Sequence, residues 1–114
     1  MIECADGSLY TGFATDIRKR LREHYWRLPR CARYTRSHPM TGLRGLWETE
    51  GRSTALRLEY RIKHLDRKSK DRLLEAPEEA RQLLDAADII RWVDETDQAS
   101  IMEEVRGYSR HRPE

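Results

Sequence analysis

The chain has 114 residues, of which 37% are charged and 38% hydrophobic, a balance that suits one small folded domain and excludes a disordered chain. The net charge of +2 hides an asymmetry, because residues 1–75 carry 17 Lys and Arg against 10 Asp and Glu, whereas residues 76–114 carry 5 against 10. Without a long apolar run or closely paired cysteines, the sequence excludes a membrane span and a cysteine-based zinc site, and we expect a cytoplasmic protein with reduced thiols.

The first predicted element is a β-hairpin. Asp6-Gly7 is a strong hairpin-turn signal, and it separates a short first strand over residues 1–4 from a return strand over residues 8–13. A two-stranded ribbon is not stable by itself, so this hairpin must pair with more of the chain.

A helix and a loop follow the hairpin. Thr15 or Asp16 is a natural N-cap, and Pro29 ends the helix. Apolar residues recur at i, i+4, i+8 and i+11, which predicts a core-facing stripe made of Ile17, Leu21, Tyr25 and Leu28. The next stretch, residues 29–42, has two prolines, a glycine and little periodicity, which predicts a loop.

The middle of the chain predicts a third strand and two more helices. Residues 43–49 have the composition of a strand, and Ser53 is placed to cap the second helix. The apolar stripe of that helix is Ala55, Leu58, Ile62 and Leu65. Asp66 then caps a short third helix.

The acidic tail after Pro77 is predicted to be helical. Residues 78–93 are expected to form an amphipathic helix, residues 101–105 a further helical stretch, and residues 109–114 a frayed end. Three interpretations of the tail are open: it packs on its own domain through Leu83, Leu84 and Ile90, it pairs with another chain, or it covers the basic face as a mimic of DNA charge.

Three side chains of the hairpin and first helix suggest chemistry on phosphates. A strand that ends at Gly12 and runs into a helix brings Tyr10, Arg20 and His24 towards one place. Residues 18–36 surround them with eight Arg and Lys and one acid. Such a run is often only a solvated face, but the arginine fork also binds phosphate with two hydrogen bonds. The combination suits attack on a phosphodiester.

Four segments carry a family resemblance when taken in chain order. They are Leu9-Tyr10-Thr11-Gly12, Thr15-Asp16-Ile17-x-x-Arg20-Leu21-x-x-His24, Ala32-Arg33-Tyr34-Thr35-Arg36, and Arg52-Ser53-x-Ala55-Leu56-Arg57-x-Glu59-x-x-Ile62-Lys63. As an ordered set they resemble the GIY-YIG nuclease superfamily, most of all its small stand-alone bacterial members related to the nuclease domain of the bacterial excinuclease. The resemblance covers residues 1–75.

This resemblance implies a fold and an activity. The fold is α/β, of the α+β kind, with a small three-stranded antiparallel sheet flanked by helices. A nuclease domain would occupy residues 1–75, and an acidic helical extension would occupy residues 76–114. The activity would be hydrolysis of DNA phosphodiesters with one divalent metal, Mg²⁺ or Mn²⁺, at branched or damaged structures such as those met in DNA repair.

The resemblance also implies residue roles. Tyr10 and Gly12 match the second half of the family name. Arg20 matches the helix arginine that stabilises the scissile phosphate, and His24 matches the position one turn later. Glu59 matches the carboxylate that holds the metal.

A basic and aromatic set is expected to contact DNA. Arginines take phosphates, whereas a tyrosine stacks on a splayed base or contacts sugar. The set is Arg18, Arg27, Arg33, Tyr34 and Arg36. Such binding should be independent of sequence and should fall steeply with salt. Packing of Tyr34 under its own loop is the alternative.

Each catalytic role has a plainer alternative. Glu59 would pair with Lys63 at i+4 on a helix surface, a contact worth about 0.3–0.5 kcal/mol. Arg20 and His24 would be solvated helix residues. A tyrosine has an ordinary pKa of about 10, so Tyr10 would act as a base only if neighbouring cations and the metal made its hydroxyl more acidic, and otherwise it would orient the water or pack in the sheet. If His24 does act, it relays a proton or binds phosphate.

Two alternatives concern the whole protein. The family's first tyrosine would lie ahead of Met1, so we expect a reading frame that begins upstream. Because residues 1–114 lack that tyrosine, the alternative function is a catalytically weak nucleic-acid-binding module. The third candidate function is a protein-interaction domain in which the acidic tail is the functional segment.

Overall fold

The computed structural model describes residues 1–108, and the predicted fraying of residues 109–114 lies outside that range. The elements in chain order are β1 (Ile2–Cys4), β2 (Leu9–Tyr10), α1 (Ile17–Tyr25), α2 (Arg33–Ser37), β3 (Met40–Leu43), β4 (Trp47–Thr49), α3 (Arg52–Lys63), α4 (Arg67–Glu75), a 3-10 helix (Pro77–Leu83), β5 (Ile90–Trp92) and α5 (Glu95–Arg106). The predicted fold class is confirmed.

The three-stranded sheet has the order β2-β1-β3, with both pairs antiparallel. Ile2 is opposite Tyr10 on one side and Leu43 on the other, so the short first strand lies at the centre. The predicted hairpin turn is confirmed. Asp6 accepts hydrogen bonds from the backbone and hydroxyl of Ser8, and Gly7 has a φ of +84°, which favours glycine.

The predicted N-caps of α1 and α4 are confirmed. Asp16 caps α1 by accepting from the Lys19 backbone N–H at 3.1 Å, and Asp66 caps α4 by accepting from Ser69 at 2.7 Å. The cap predicted at Ser53 is wrong, because α3 already begins at residue 52, after a glycine in the left-handed region. The predicted end of α1 at Pro29 is wrong, because the helix ends at Tyr25 and Arg27 has a positive φ of +49°.

The predicted loop over residues 29–42 is wrong from Arg33 onward, where the chain forms α2 and the start of β3. Five residues are too few to show a helical period, so the sequence pattern could not indicate α2. The single strand predicted over residues 43–49 is also wrong. The chain leaves the first sheet at Leu43, and β4 belongs to a second sheet.

The acidic helix predicted over residues 78–93 is wrong as well. The segment is a 3-10 helix followed by a turn and by β5, which pairs antiparallel with β4. Asp88 stabilises the turn by accepting from the backbone N–H of Asp85. The following run is rich in β-branched and aromatic residues, which favours a strand. The helix predicted around residues 101–105 is confirmed, and it extends over all of α5.

Two hydrophobic clusters form the core. The first lies between the main sheet, α1 and α5, and contains Ile2, Leu21, Met40, Ile101, Met102 and Val105. The second contains Met1, Leu58, Ile62, Leu73 and Ala80, with Leu83, Leu84 and Ile90 packed against it. The acidic tail therefore packs on its own domain, as the first of its three interpretations expected. No helix within residues 1–108 is both long and apolar enough to cross a membrane.

Candidate active site

Three side chains, each from a different helix, lie around the ring of Tyr10 on β2. Its centroid lies 5.6 Å from those of His24 on α1 and Tyr34 on α2, and the Tyr34 ring is nearly parallel to it. The Nζ atom of Lys63 on α3 lies 5.8 Å from the Tyr10 centroid. We call Tyr10, His24, Tyr34 and Lys63 the Tyr10 cluster. The cluster brings together residues from the first and the last of the four motif segments, through Tyr10 and Lys63.

His24 is buried, with 4% of its surface exposed. Its Nδ1 atom lies 2.8 Å from the hydroxyl oxygen of Thr35. Burial lowers the pKa of His24 to about 4, and the neighbouring Arg20 guanidinium acts in the same direction. The solvated histidine considered as an alternative is therefore wrong, and the imidazole is neutral at pH 7.

Arg20 lies at the edge of the cluster with its guanidinium partly exposed. Its Nη1 atom donates to Glu23 at 2.9 Å and to the carbonyl of Arg30 at 2.6 Å. A guanidinium has five N–H donors, so others remain for a phosphate oxygen. Glu23 and the Arg30 carbonyl therefore orient the guanidinium of Arg20 and leave some of its N–H donors free.

Glu59 is half-buried on α3, and its nearest cation is Lys63, with Nζ and Oε2 3.7 Å apart. The predicted i+4 pair therefore exists, although this distance is longer than a hydrogen bond. Within residues 1–108 no group of three or more His, Cys, Asp or Glu could enclose a metal. A single carboxylate still fits Mg²⁺, because that ion keeps several of its waters and needs few protein ligands.

Gly12 allows the Tyr10 ring to lie against the backbone. A Cβ atom at this position would be 3.2 Å from a ring carbon of Tyr10, closer than ordinary van der Waals contact. Gly12 and Glu59 also line a cavity of about 710 Å³ next to the Tyr10 cluster. The residues that line this cavity include both basic and acidic side chains: Arg18, Arg52, Arg91, Glu48, Glu59 and Asp97.

The residues predicted to contact DNA have different surroundings. Arg27 and Arg33 are exposed, and Arg36 is exposed while it donates to the carbonyl of Pro29 at 3.2 Å. Arg18 forms an ion pair of 2.7 Å with a glutamate on α5. Tyr34 is half-buried.

Tyr34 is held between several partners. It is nearly parallel to His38, with ring centroids 3.9 Å apart, and its hydroxyl donates to Ser8. Tyr34 therefore packs against its own segment, as the alternative interpretation expected, although that segment is the helix α2 and not a loop.

The sequence did not point to three residues that build the site. Thr35 partners His24, Ser8 partners Tyr34, and Glu23 orients Arg20. Glu23 alone had a local signal, since it lies three residues after Arg20 on the same helix face. The other two contacts span 11 and 26 residues and follow no helical or strand period.

Comparison with known proteins identifies the family. The model of the GIY-YIG catalytic domain matches residues 1–72. The chain belongs to the GIY-YIG family.

Within that family it is similar to UPF0213 proteins, whose names state no activity. One from Halalkalibacterium halodurans is 38% identical over 74 residues, which are 65% of this chain and 77% of the relative. One from Halobacterium salinarum is 42% identical over 64% of this chain and 92% of its own length. YhbQ of Salmonella arizonae is 38% identical over 74% of this chain and 82% of its own. No solved structure matches the chain.

Proposed function

We propose that the protein is a metal-dependent endonuclease that hydrolyses DNA phosphodiesters, with branched and damaged DNA as its substrates. The observation that carries the proposal is the packing of His24 and Lys63 against the Tyr10 ring. Arg20 lies close enough to His24 to lower its pKa, and Glu59 lies 3.7 Å from Lys63. Family membership supplies the class of reaction, and this cluster supplies the groups.

The reaction needs an oriented water and stabilisation of charge that develops on the phosphate. Arg20 would donate its free N–H groups to the phosphate oxygens, held in place by Glu23. Tyr10 would orient the water through its hydroxyl. Glu59 would hold Mg²⁺ or Mn²⁺, which supplies Lewis-acid stabilisation when bound.

DNA would approach over the basic surface of α1 and α2. Arg27, Arg33 and Arg36 are exposed there and would take phosphates. Arg18 would join them if its ion pair with α5 opens. The Tyr34 ring is stacked within the protein, so Tyr34 would contribute by holding α2 in position.

We further propose cytoplasmic residence, because Cys4 and Cys31 are both buried free thiols and a reducing compartment keeps them so. The division between a nuclease domain over residues 1–75 and an extension over residues 76–114 stays a prediction.

One observation favours the catalytically weak binding module as the second candidate. Both charged catalytic candidates already have protein partners, Arg20 with Glu23 and Glu59 with Lys63. If these pairs persist in the presence of DNA, the surface would bind nucleic acid without cutting it.

Cleavage of labelled flap, nicked and single-stranded DNA with Mg²⁺ or Mn²⁺ separates the two candidates. We expect the wild type to cut and Glu59→Gln to lose cleavage. We expect Arg20→Ala to cut on the order of 100- to 1000-fold more slowly, as expected for removal of a donor that stabilises the transition state.

Glu75→Gln and Lys19→Ala are matched controls, since both residues are exposed and have no side-chain partner within residues 1–108. Wild-type protein that binds DNA but cuts none of these substrates would leave the binding module as the function. Equal cleavage by wild type, Glu59→Gln and Arg20→Ala would remove both residues from the chemistry.

A further inference from the structure

The buried hydroxyl of Thr35 touches two groups. Its Oγ1 atom is 2.8 Å from His24 Nδ1 and 3.1 Å from the carbonyl oxygen of Ala32, and the whole residue is inaccessible to solvent. A hydroxyl has one proton to donate, whereas its oxygen can accept further hydrogen bonds. The carbonyl of Ala32 can only accept. The direction of the Thr35 hydroxyl therefore decides the tautomer of His24.

The two tautomers differ in how many groups they satisfy. If Nδ1 carries the proton, His24 donates to Thr35 and Thr35 donates to Ala32, so both contacts are hydrogen bonds. If Nε2 carries the proton, Thr35 must turn its hydrogen towards Nδ1 and the contact with Ala32 is lost. The Nε2-protonated tautomer therefore keeps one hydrogen bond fewer at Thr35 than the Nδ1-protonated tautomer, a difference of about 0.5–1.5 kcal/mol.

We propose that Thr35 is a positioning residue that holds His24 as the Nδ1-protonated tautomer, so that Nε2 offers a lone pair beside Tyr10. The role in the reaction rests on the proposed nuclease function. A nitrogen without a proton accepts a hydrogen bond from the attacking water. It cannot donate to a phosphate oxygen. Of the two roles open to His24, the acceptor role is therefore the one that fits.

The surroundings of His24 preserve this state at neutral pH. Burial and the positive charge of Arg20 keep the pKa of the ring low. The imidazole is therefore neutral at pH 7, and only one of its two nitrogens carries a proton. Thr35 lies in the first turn of α2, and its hydroxyl bonds back to the carbonyl of Ala32, the N-cap residue.

Nitrogen NMR reads the tautomer directly and needs no activity. Protein labelled with ¹⁵N-histidine is examined at pH 7 by long-range proton–nitrogen correlation, with His24→Gln used to assign the His24 signals. We expect the wild type and Thr35→Ser, which keeps the hydroxyl, to have a protonated Nδ1 and an unprotonated Nε2. We expect Thr35→Val, which keeps the shape and loses the acceptor, to shift towards the other tautomer.

Kinetics on a cleavable DNA then tests the consequence. Thr35→Val should lower kcat by about 10- to 100-fold with KM unchanged, the range for partners that orient an active group, and Thr35→Ser should restore it. A wild-type spectrum with the proton on Nε2 overturns the proposal even if Thr35→Val fails to fold. Equal kcat for all three proteins overturns its role in the reaction. Absence of any wild-type cleavage contradicts the nuclease proposal and leaves the tautomer decided by NMR alone.

Discussion

The Tyr10 cluster and the C-terminal segment, residues 76–108, are held in place by different kinds of contact. The cluster is built from aromatic stacking and from buried polar contacts such as that between His24 and Thr35. The C-terminal segment contributes apolar side chains to both parts of the core. Stability should therefore depend mainly on the segment and chemistry mainly on the cluster. Mutations can separate the two.

The largest effect on stability is expected from Ile101→Ala on α5. Ile101 is buried in the first core cluster, against the main sheet and α1. Its truncation should cost about 3 kcal/mol, from lost apolar burial and the cavity left behind. The melting temperature, followed by circular dichroism, should fall by roughly 4–8 °C per kcal/mol.

The adjacent Ser100→Ala, at an exposed position, is the control for Ile101→Ala. Below the melting transition, Ile101→Ala should cut DNA at the wild-type rate per folded molecule. A loss of cleavage without loss of stability would mean that α5 acts on the site directly and that the two regions are not separable.

The secondary structure before residue 76 was easier to predict from the sequence than that of residues 76–108. The hairpin turn and the α1 and α4 caps could be predicted because Asp6, Asp16 and Asp66 act on backbone groups two or three residues away. In residues 76–108 the pairing of β5 with β4 joins residues more than 40 positions apart, and no local pattern reports it. Acidic composition and apolar spacing there fitted a helix equally well.

The site could be predicted only in its residue types. The ordered motifs identified Tyr10, Arg20, His24 and Glu59 as candidates, but the state of each depends on tertiary contacts. The sequence presented His24 as a helix residue that titrates near neutrality, whereas burial under α2 makes it neutral. That environment arises from the fold and is absent from the helix pattern.

A smaller effect on stability is expected from pH. The folded-state pKa of His24 is about 4 and its ordinary value is 6.5, so between these values the unfolded state binds more protons. The free energy of unfolding should therefore fall as pH drops from 6.5 to 4, by on the order of 2 to 3 kcal/mol. Urea denaturation across this range measures the loss.

His24→Gln should remove this part of the pH dependence, whereas His64→Gln, at an exposed position, should not. The difference between wild type and His24→Gln isolates the histidine. Identical slopes for these two proteins would mean that His24 titrates normally and is not buried as a neutral ring.

The smallest effect is expected where the two regions meet at the surface, in the ion pair between Arg18 and Glu104. Both side chains are about half exposed, so Glu104→Gln should cost no more than about 1 kcal/mol. Its effect on DNA binding should be clearer, because the change frees Arg18 to take a phosphate. The slope of log affinity against log salt should then steepen by up to about 0.9, the amount for one added phosphate contact.

Glu103→Gln is the control, because it makes the same change in net charge at an exposed neighbour with no ion pair within residues 1–108. Fluorescence anisotropy with a labelled duplex measures both slopes. If only Glu104→Gln steepens the slope, α5 restrains one arginine of the basic face through a specific contact. If both variants raise affinity equally without changing the slope, the acidic tail acts through its overall field, and the mimicry of DNA charge becomes the better account of this helix.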